Sequence, residues 1–237
     1  MQTNIVKIKK KGAPRMRALL LSDLHGKASS SLIEQILPQS PDVVFLCGDM
    51  MNGCARENEK TLLFFSALSR MAPTFYSLGN HELAPDGADL LTLRQTGVTL
   101  LDDRFACFGS VLIGGLSSGF LGGRQSAWMK TATPDLAFLS HFAKQKGFRI
   151  LLSHHPEYYP RYIRRTSIDL VLSGHAHGGQ CRLFGHGLFA PGQGLLPRLT
   201  SGVYDGRLIV SRGLASTSRL PRLFNPTQMM LIELSPT

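Results

Sequence analysis

No apolar run in the 237 residues approaches the roughly 20 needed to cross a bilayer. The longest, such as residues 18–21, Val43–Cys47 and residues 170–172, have the length of strands. No apolar stretch follows Lys7, Lys9, Lys10 and Lys11, so a cleavable secretory signal is not expected, while an anchor preceding residue 1 stays open. The four cysteines, Cys47, Cys54, Cys107 and Cys181, show no C-x-x-C spacing. That argues against a thiolate zinc site and against a disulfide framework, and leaves buried reduced thiols as the expectation. Internal repeats, heptads and low-complexity tracts are missing too, and 43% hydrophobic with 18% charged residues excludes a disordered or collagenous chain.

Acidic residues are also scarce. Asp and Glu number 16 against 26 Lys and Arg, a formal charge of +10 with a pI near 9.8. The deficit is local. The first acid is Asp23, after six basic residues, and residues 149–222 carry ten basic side chains but only Glu157, Asp169 and Asp205. An excess placed in this way favours an anionic partner, whether nucleic acid, acidic lipid surface or phosphorylated substrate, although a solvated basic surface accounts for it equally well.

What is present is a series of short apolar runs, each closed by a turn. Residues 16–21 stop at Ser22-Asp23, 43–47 at Gly48-Asp49, 74–78 at Gly79-Asn80, 149–152 at Ser153-His154 and 168–172 at Ser173-Gly174. Nearly continuous apolar character predicts strands buried on both faces. Between them, residues 29–37, 57–71 and 134–146 show helical spacing, with Ser29, Ser30 or Ser31 and Thr133 as candidate N-caps. The alternation predicts a layered α/β domain. After Gly178 the pattern changes to strands alone, near 180–184, 207–211 and 229–234, and the Gly-rich stretches 114–126 and 185–202 are expected to be loops. No linker divides the chain, so residues 1–17 read as a basic arm or leading strand and 18–237 as a single domain.

Each of the five strand ends delivers side chains able to bind a metal. They are Asp23 and His25 (DLH), Asp49 (GD), Asn80, His81 and Glu82 (GNHE), His154 and His155 (SHHP), and His175 and His177 (GHAH). In an α/β sheet ligands gather at the carboxyl ends of strands, so groups distant in sequence can converge. One such histidine is more often a hydrogen-bonded turn than a ligand. Five blocks, each directly after a buried strand, are a different matter.

In that order the blocks resemble the calcineurin-like metallophosphoesterases. The tail, with GHAHGGQCRL, then Ser201-Gly202-Val203-Tyr204, then Val210 to Leu214, is similar to a bacterial branch of membrane- or wall-associated phosphoesterases that includes a UDP-2,3-diacylglucosamine pyrophosphatase. The resemblance implies an αββα sandwich, two mixed β-sheets packed together with helices outside. It implies two divalent ions, one held by Asp23, His25, Asp49 and His177, the other by Asp49, Asn80, His154 and His175. Imidazole, carboxylate and amide oxygen suit Mn²⁺, Fe or Zn²⁺ without choosing among them. A pair about 3.5–4 Å apart activates a bridging hydroxide for in-line attack.

By the same likeness His81 is the catalytic residue, stabilising charge or protonating the leaving oxygen. Relatives place an aspartate where this chain has Asn52, so His81 is expected to act as a neutral donor or to find another acid. Glu82 supports the turn, and His155 points away from its neighbour as a loop residue behind the ligands. Arg161, Arg164 and Arg165 are candidates for a second phosphate or an anionic head group, equally explained as a solvated face. Trp128, Phe184, Leu188, Phe189, Leu195 and Leu196 are candidates for an apolar rim or for core packing.

The function implied is metal-dependent hydrolysis of a phosphodiester or pyrophosphate bond in a lipid-linked or nucleotide substrate. Rival readings are a nuclease or cyclic-nucleotide phosphodiesterase, which +10 would suit, and a metal-free scaffold, which the filled ligand positions disfavour. Peripheral contact with an anionic membrane, a cytoplasmic location and no protein partner complete the expectation.

Overall fold

Successive residues of a strand face opposite ways, so a continuous apolar run needs cover on both sides. The computed structural model, which describes residues 1–52, 58–83, 90–119, 131–215 and 221–237, meets that need with two six-stranded sheets laid face to face. The strands of the first half are β1 (Gln2–Lys9), β2 (Met16–Leu21), β3 (Val43–Cys47), β4 (Thr74–Ser77), β5 (Thr99–Leu101), β6 (Arg104–Phe108) and β7 (Val111–Leu116). Then come β8 (Phe148–Ser153), β9 (Leu170–Ser173), β10 (Arg182–Leu183), β11 (His186–Gly187), β12 (Phe189–Ala190), β13 (Gly194–Leu195), β14 (Gly202–Tyr204), β15 (Leu208–Val210) and β16 (Gln228–Ser235).

The first sheet has the order β1-β16-β2-β3-β4-β5, with β2 to β5 parallel and β16 antiparallel to β2. The second has the order β14-β15-β9-β8-β7-β6, parallel from β15 to β7 and antiparallel at both edges. Both sheets are mixed. Helices α1 (Ser30–Ile36), α2 (Glu59–Met71) and α3 (Leu90–Arg94) follow strands of the first sheet, and α4 (Leu136–Ala143) precedes β8 of the second.

Strand alternation assigns the core. Ala18, Leu20, Val43, Phe45, Ile150, Leu152 and Leu172 face inward between the sheets, while Leu19, Leu21, Val44 and Leu46 face outward against Phe64, Phe65 and Leu68 of α2. On the far side Leu151, Val171 and Val210 pack on Phe138 and Phe142 of α4. Thus one residue in two of each run serves the sheet-to-sheet layer and the next serves a helix layer.

Several expectations are corrected. Residues 114–116 are not loop but the end of β7, because glycine there admits neighbours a side chain would exclude: a Cβ on Gly115 would lie 2.2 Å from the Leu101 carbonyl oxygen, and one on Gly114 2.9 Å from the Phe142 ring. The stretch 185–202 contains short strands, β11 paired with β10 and β12 paired with β13. Asp135, not Thr133, caps α4, accepting from Phe138 N at 2.9 Å, whereas Ser29 caps α1 as expected. Cys107 is exposed, on edge strand β6, while Cys47 is buried and Cys181 half-buried. Glu57, Cys54 and Trp128 lie outside the described residues. Among the described residues no helix is long and apolar enough to cross a membrane.

Phe45 stands in the layer shared by both sheets, fully buried and facing Phe75. Phe45→Ala is expected to cost about 3–5 kcal/mol, read from urea unfolding midpoints; a loss below 1 kcal/mol would contradict this placement of the core.

Candidate metal centre

Parallel β2, β3 and β4 in one sheet and parallel β8 and β9 in the other bring five strand ends to one edge of the sandwich. The turns are tied to one another within each sheet and, through His175 and Asp23, between the sheets. Asp23 N donates to Gly48 O at 3.1 Å, His25 N to Asp49 O at 3.0 Å, Gly174 N to His154 O at 3.1 Å and His175 N to Asp23 Oδ1 at 3.0 Å. Asp23, His25, Asp49, His175 and His177 all have φ between 46° and 64°, a region that non-glycine residues seldom occupy and that persists only where surroundings over-determine it. Glycine permits the crowding. A Cβ at Gly48 would lie 2.3 Å from His154 Nδ1, and one at Gly79 2.2 Å from Asp49 Oδ1.

Asp49 is buried at the centre. Its Oδ1 accepts from His81 N at 2.9 Å and its Oδ2 faces His154 Nε2 at 3.1 Å. Burial disfavours its charge, but the imidazoles of His154 and His81 outweigh that and hold the carboxyl well below its usual range. The backbone N–H of Asp49 donates to Glu82 Oε2 at 2.9 Å, that of Gly79 to the same oxygen at 2.7 Å and that of Met51 to Oε1 at 3.0 Å. Glu82 thus clamps the GD turn to the GNHE turn. Burial and the charge of Asp49 push its carboxyl upward, so adjacent acids are shifted in opposite directions.

His154 Nδ1 donates to the Cys47 carbonyl at 2.9 Å, a partner that only accepts, and this directs Nε2 at Asp49. Burial opposes its charge, yet the Asp49 carboxylate pushes His154 up to about 10. Burial lowers His25, His175 and His177, assisted at His25 and His175 by neighbouring imidazoles and at His177 by Arg222. Neutral imidazole is the form that binds metal. His25 Nδ1 and Nε2, His175 Nε2 and Asn80 Oδ1 are buried with no hydrogen-bond partner among the described residues. Buried polar atoms without partners are costly, and the lone-pair-bearing ones among them suit an electropositive ion.

Four sets of donor atoms, each within 4.8 Å of one another, could hold a cation: Asp23, His25 and His177; His25, Asp49 and His81; Asp49, His154 and His175; and, behind these, His155, Glu157 and His175. His81 differs from the other imidazoles. Its side chain is 35% exposed, against 0% for His154 and 10% for His177, and its Nε2 stands 4.0 Å from Asp49 Oδ2. It is the most exposed imidazole of these donor sets.

The remaining candidates take other places. Asn52 is joined to Asn58 through both backbone groups. His155 is buried behind the centre, its Nε2 2.8 Å from Ser118 Oγ and its ring centroid 4.2 Å from that of His175. Arg161, Arg164 and Arg165 are exposed, with Arg164 paired to Asp205 at 3.0 Å. Two participants escaped sequence reasoning. Glu157, buried, faces His155 Nδ1 at 3.7 Å and accepts from Thr131 Oγ1; its only signal was a rare acid two residues past a strand-end histidine. Arg222 places Nη2 3.2 Å from His177 Nδ1 and donates to the Ala215 carbonyl that also faces that nitrogen, a contact no local pattern announces.

A family model described as calcineurin-like phosphoesterase matches residues 16–179. An uncharacterized metallophosphoesterase of Campylobacter jejuni is 30% identical over 218 residues, 90% of this chain and 55% of that protein. Escherichia coli phosphodiesterase YaeI is 30% identical over 187 residues, 73% of this chain and 65% of that one. The chain spans about half the length of the first curated relatives it matches. The crystal structure of a phosphopantetheinyl hydrolase from Mycobacterium tuberculosis aligns with a TM-score of 0.50 at 14% identity, covering 84% of this chain and 89% of that one, a likeness of fold.

The opposed histidine shifts set a pH optimum for stability without metal. His25, His155, His175 and His177 are lowered from 6.5, so their contribution is complete above about 6.5 and is lost as pH falls below it. His154 is raised, so its contribution is complete below about 6.5 and is lost as pH climbs toward 10. Urea midpoints measured with chelator should therefore peak near pH 6.5; a monotonic profile across pH 5 to 9 would refute this balance of charges.

Proposed function

The chain belongs to the calcineurin-like phosphoesterase family, and from that premise we propose that it hydrolyses a phosphodiester or pyrophosphate bond at a dinuclear metal centre. One observation carries the reading: Asp49 is shared between the donors on the His25 side and those on the His154 and His175 side. Asp23, His25, Asp49 and His177 would hold one divalent ion and Asp49, Asn80, His154 and His175 the other. The orphaned nitrogens and the Asn80 oxygen fit that role, and the donor set without thiolate suits Mn²⁺, Fe or Zn²⁺. Two such ions, when bound, supply Lewis acidity toward phosphoryl oxygens and lower the pKa of a nearby water.

The protein's own groups do the rest. Cys47 O and Ala215 O orient the rings of His154 and His177 through Nδ1, so that each presents Nε2 inward. Glu82 fixes the height of Asp49 through three backbone bonds. His81, held at its backbone by Asp49 and partly open to solvent, is placed to donate a hydrogen bond or a proton to the oxygen leaving phosphorus. Asn52 is tied to Asn58, and among the described residues the Asp49 carboxylate, 4.0 Å from His81 Nε2, stands beside this imidazole where relatives use an aspartate at position 52.

The Escherichia coli relative, phosphodiesterase YaeI, supports a phosphodiester over a monoester. Residues 18–237 act in this reading as a single domain with residues 1–17 leading into it, and the substrate is a nucleotide or lipid-linked phosphate met in the cytoplasm or at the membrane.

Metal analysis after reconstitution with Mn²⁺ should give about two equivalents per chain; fewer than one would defeat the dinuclear reading. Asp49→Asn is expected to lose metal. His81→Asn should keep metal and lose about 10²- to 10⁴-fold in turnover of bis-p-nitrophenyl phosphate, whereas unchanged turnover would remove His81 from the mechanism.

A further inference from the structure

Large apolar side chains stand in water on one wall of the centre. Phe184, Phe224, Leu196 and Leu195 are exposed to 99%, 82%, 74% and 70%, and Leu183 and Leu223 to about half. Other exposed large apolar residues, such as Leu37, Leu63 and Leu136, are scattered over separate elements. These six belong to one hydrogen-bonded surface. Cys181 bridges to Leu223, Arg182 N donates to Leu223 O at 3.0 Å, Leu188 N to Cys181 O at 2.9 Å and Leu196 N to Leu188 O at 2.9 Å. Two hairpins and the segment 221–224 are thereby laid side by side.

The surface adjoins the donor cluster. Leu188 N donates to Gly179 O at 3.1 Å, Asn225 Nδ2 to His177 O at 2.7 Å, and Arg222 touches the His177 ring. Phe184, Leu196 and Phe224 each hold φ near 50°, which is unfavourable for bulky residues and turns each of them outward at a tight bend. The segments that form the wall carry charge of one sign. Residues 178–204 contain no Asp or Glu, but hold Arg182 and an exposed Arg198, and 221–225 add Arg222.

We propose that this apolar, arginine-bearing wall docks on an anionic lipid bilayer, setting the metal centre at the interface. Exposed apolar tips gain by entering the headgroup boundary, and each basic residue near an anionic surface adds to the attraction. Charge decides against a second copy as the occupant, since apposed copies would bring arginines of like sign together. The docking deepens the phosphoesterase reading and rests on it for what is presented to the site: a phosphate at the membrane surface with its apolar remainder left in the lipid.

Sedimentation of the whole chain with vesicles of phosphatidylcholine, or of phosphatidylcholine mixed with phosphatidylglycerol, tests it. At physiological salt the protein should sediment only with the mixed vesicles. The combined Phe184→Ser, Leu196→Ser and Phe224→Ser substitutions should weaken partitioning by about a hundredfold, and Arg198→Gln by about fivefold. All four residues are exposed, and retained circular dichroism melting curves and hydrolysis of soluble bis-p-nitrophenyl phosphate in the variants would confirm that only docking was touched.

Equal sedimentation with both vesicle types, with neither, or with mixed vesicles irrespective of the substitutions would overturn the proposal. So would a dimer that the triple variant converts to monomer while lipid binding is absent, because the covering partner would then be a second chain. If vesicle binding follows expectation but the parent protein hydrolyses no ester, the phosphoesterase reading fails and the docking surface stands.

Discussion

The Asp49 carboxylate lies under both sets of strand ends, out of reach of water, and an ion in such a place survives only if it is surrounded by donors and opposite charge. His81 N and His154 Nε2 provide the surroundings from two different sheets, and Glu82 provides the leverage by holding the Asp49 turn through its backbone. Most other features of the centre follow from this constraint. Gly48 and Gly79 are bare because a methyl group at either would occupy the space of His154 or of the carboxylate itself. The backbone bonds joining the turns at Asp23, His25 and His175 close the same assembly from the remaining strands.

The arrangement stores unfavourable energy. Five donor residues lie in the left-handed region, several buried nitrogens face no acceptor or donor among the described residues, and the two central acids are driven apart in their affinity for protons. Interactions of that kind persist when a large packed layer elsewhere compensates for them. The inner layer between the sheets, with Phe45, Leu152 and Leu172 and the rest fully buried, is that compensation, and the strands carrying it are the same ones whose ends carry the ligands. Stability and strain are thus distributed along single strands, apolar body and polar tip.

The positive charge of the chain acquires two distinct meanings. Arg149 is committed to Asp169, to the Ala143 and Gln145 carbonyls and to Ser167, so that it serves the packing of α4 against β8. Arg182 and Arg222 also donate to carbonyls, those of Gly178 and Gly185 and of Arg212 and Ala215, but they and the exposed Arg198 sit among apolar tips in segments that hold no acid, with Arg222 against His177. A single figure of +10 cannot separate those roles. Their separation depends on which carbonyls and carboxylates the fold brings within reach.

Strands β2 and β3 were readable to the residue, and β4, β8 and β9 to within two, because burial on both faces leaves an uninterrupted apolar run ending in a polar turn. The glycine pair of β7 was misread because glycine carries the same letter whether it bends a loop or makes room for Leu101 and Phe142. The sequence alone determined the strand periodicity, the donor-bearing turns and their order, since these depend on neighbours a few residues apart. Only the tertiary structure decided that His155 packs behind His175, that Glu82 clamps Asp49, that Arg222 reaches His177 across 45 residues, and that Phe184 and Phe224 share a wall. Those are contacts between segments remote in the chain, and their energies exist only after two sheets have closed on each other and excluded water from between them.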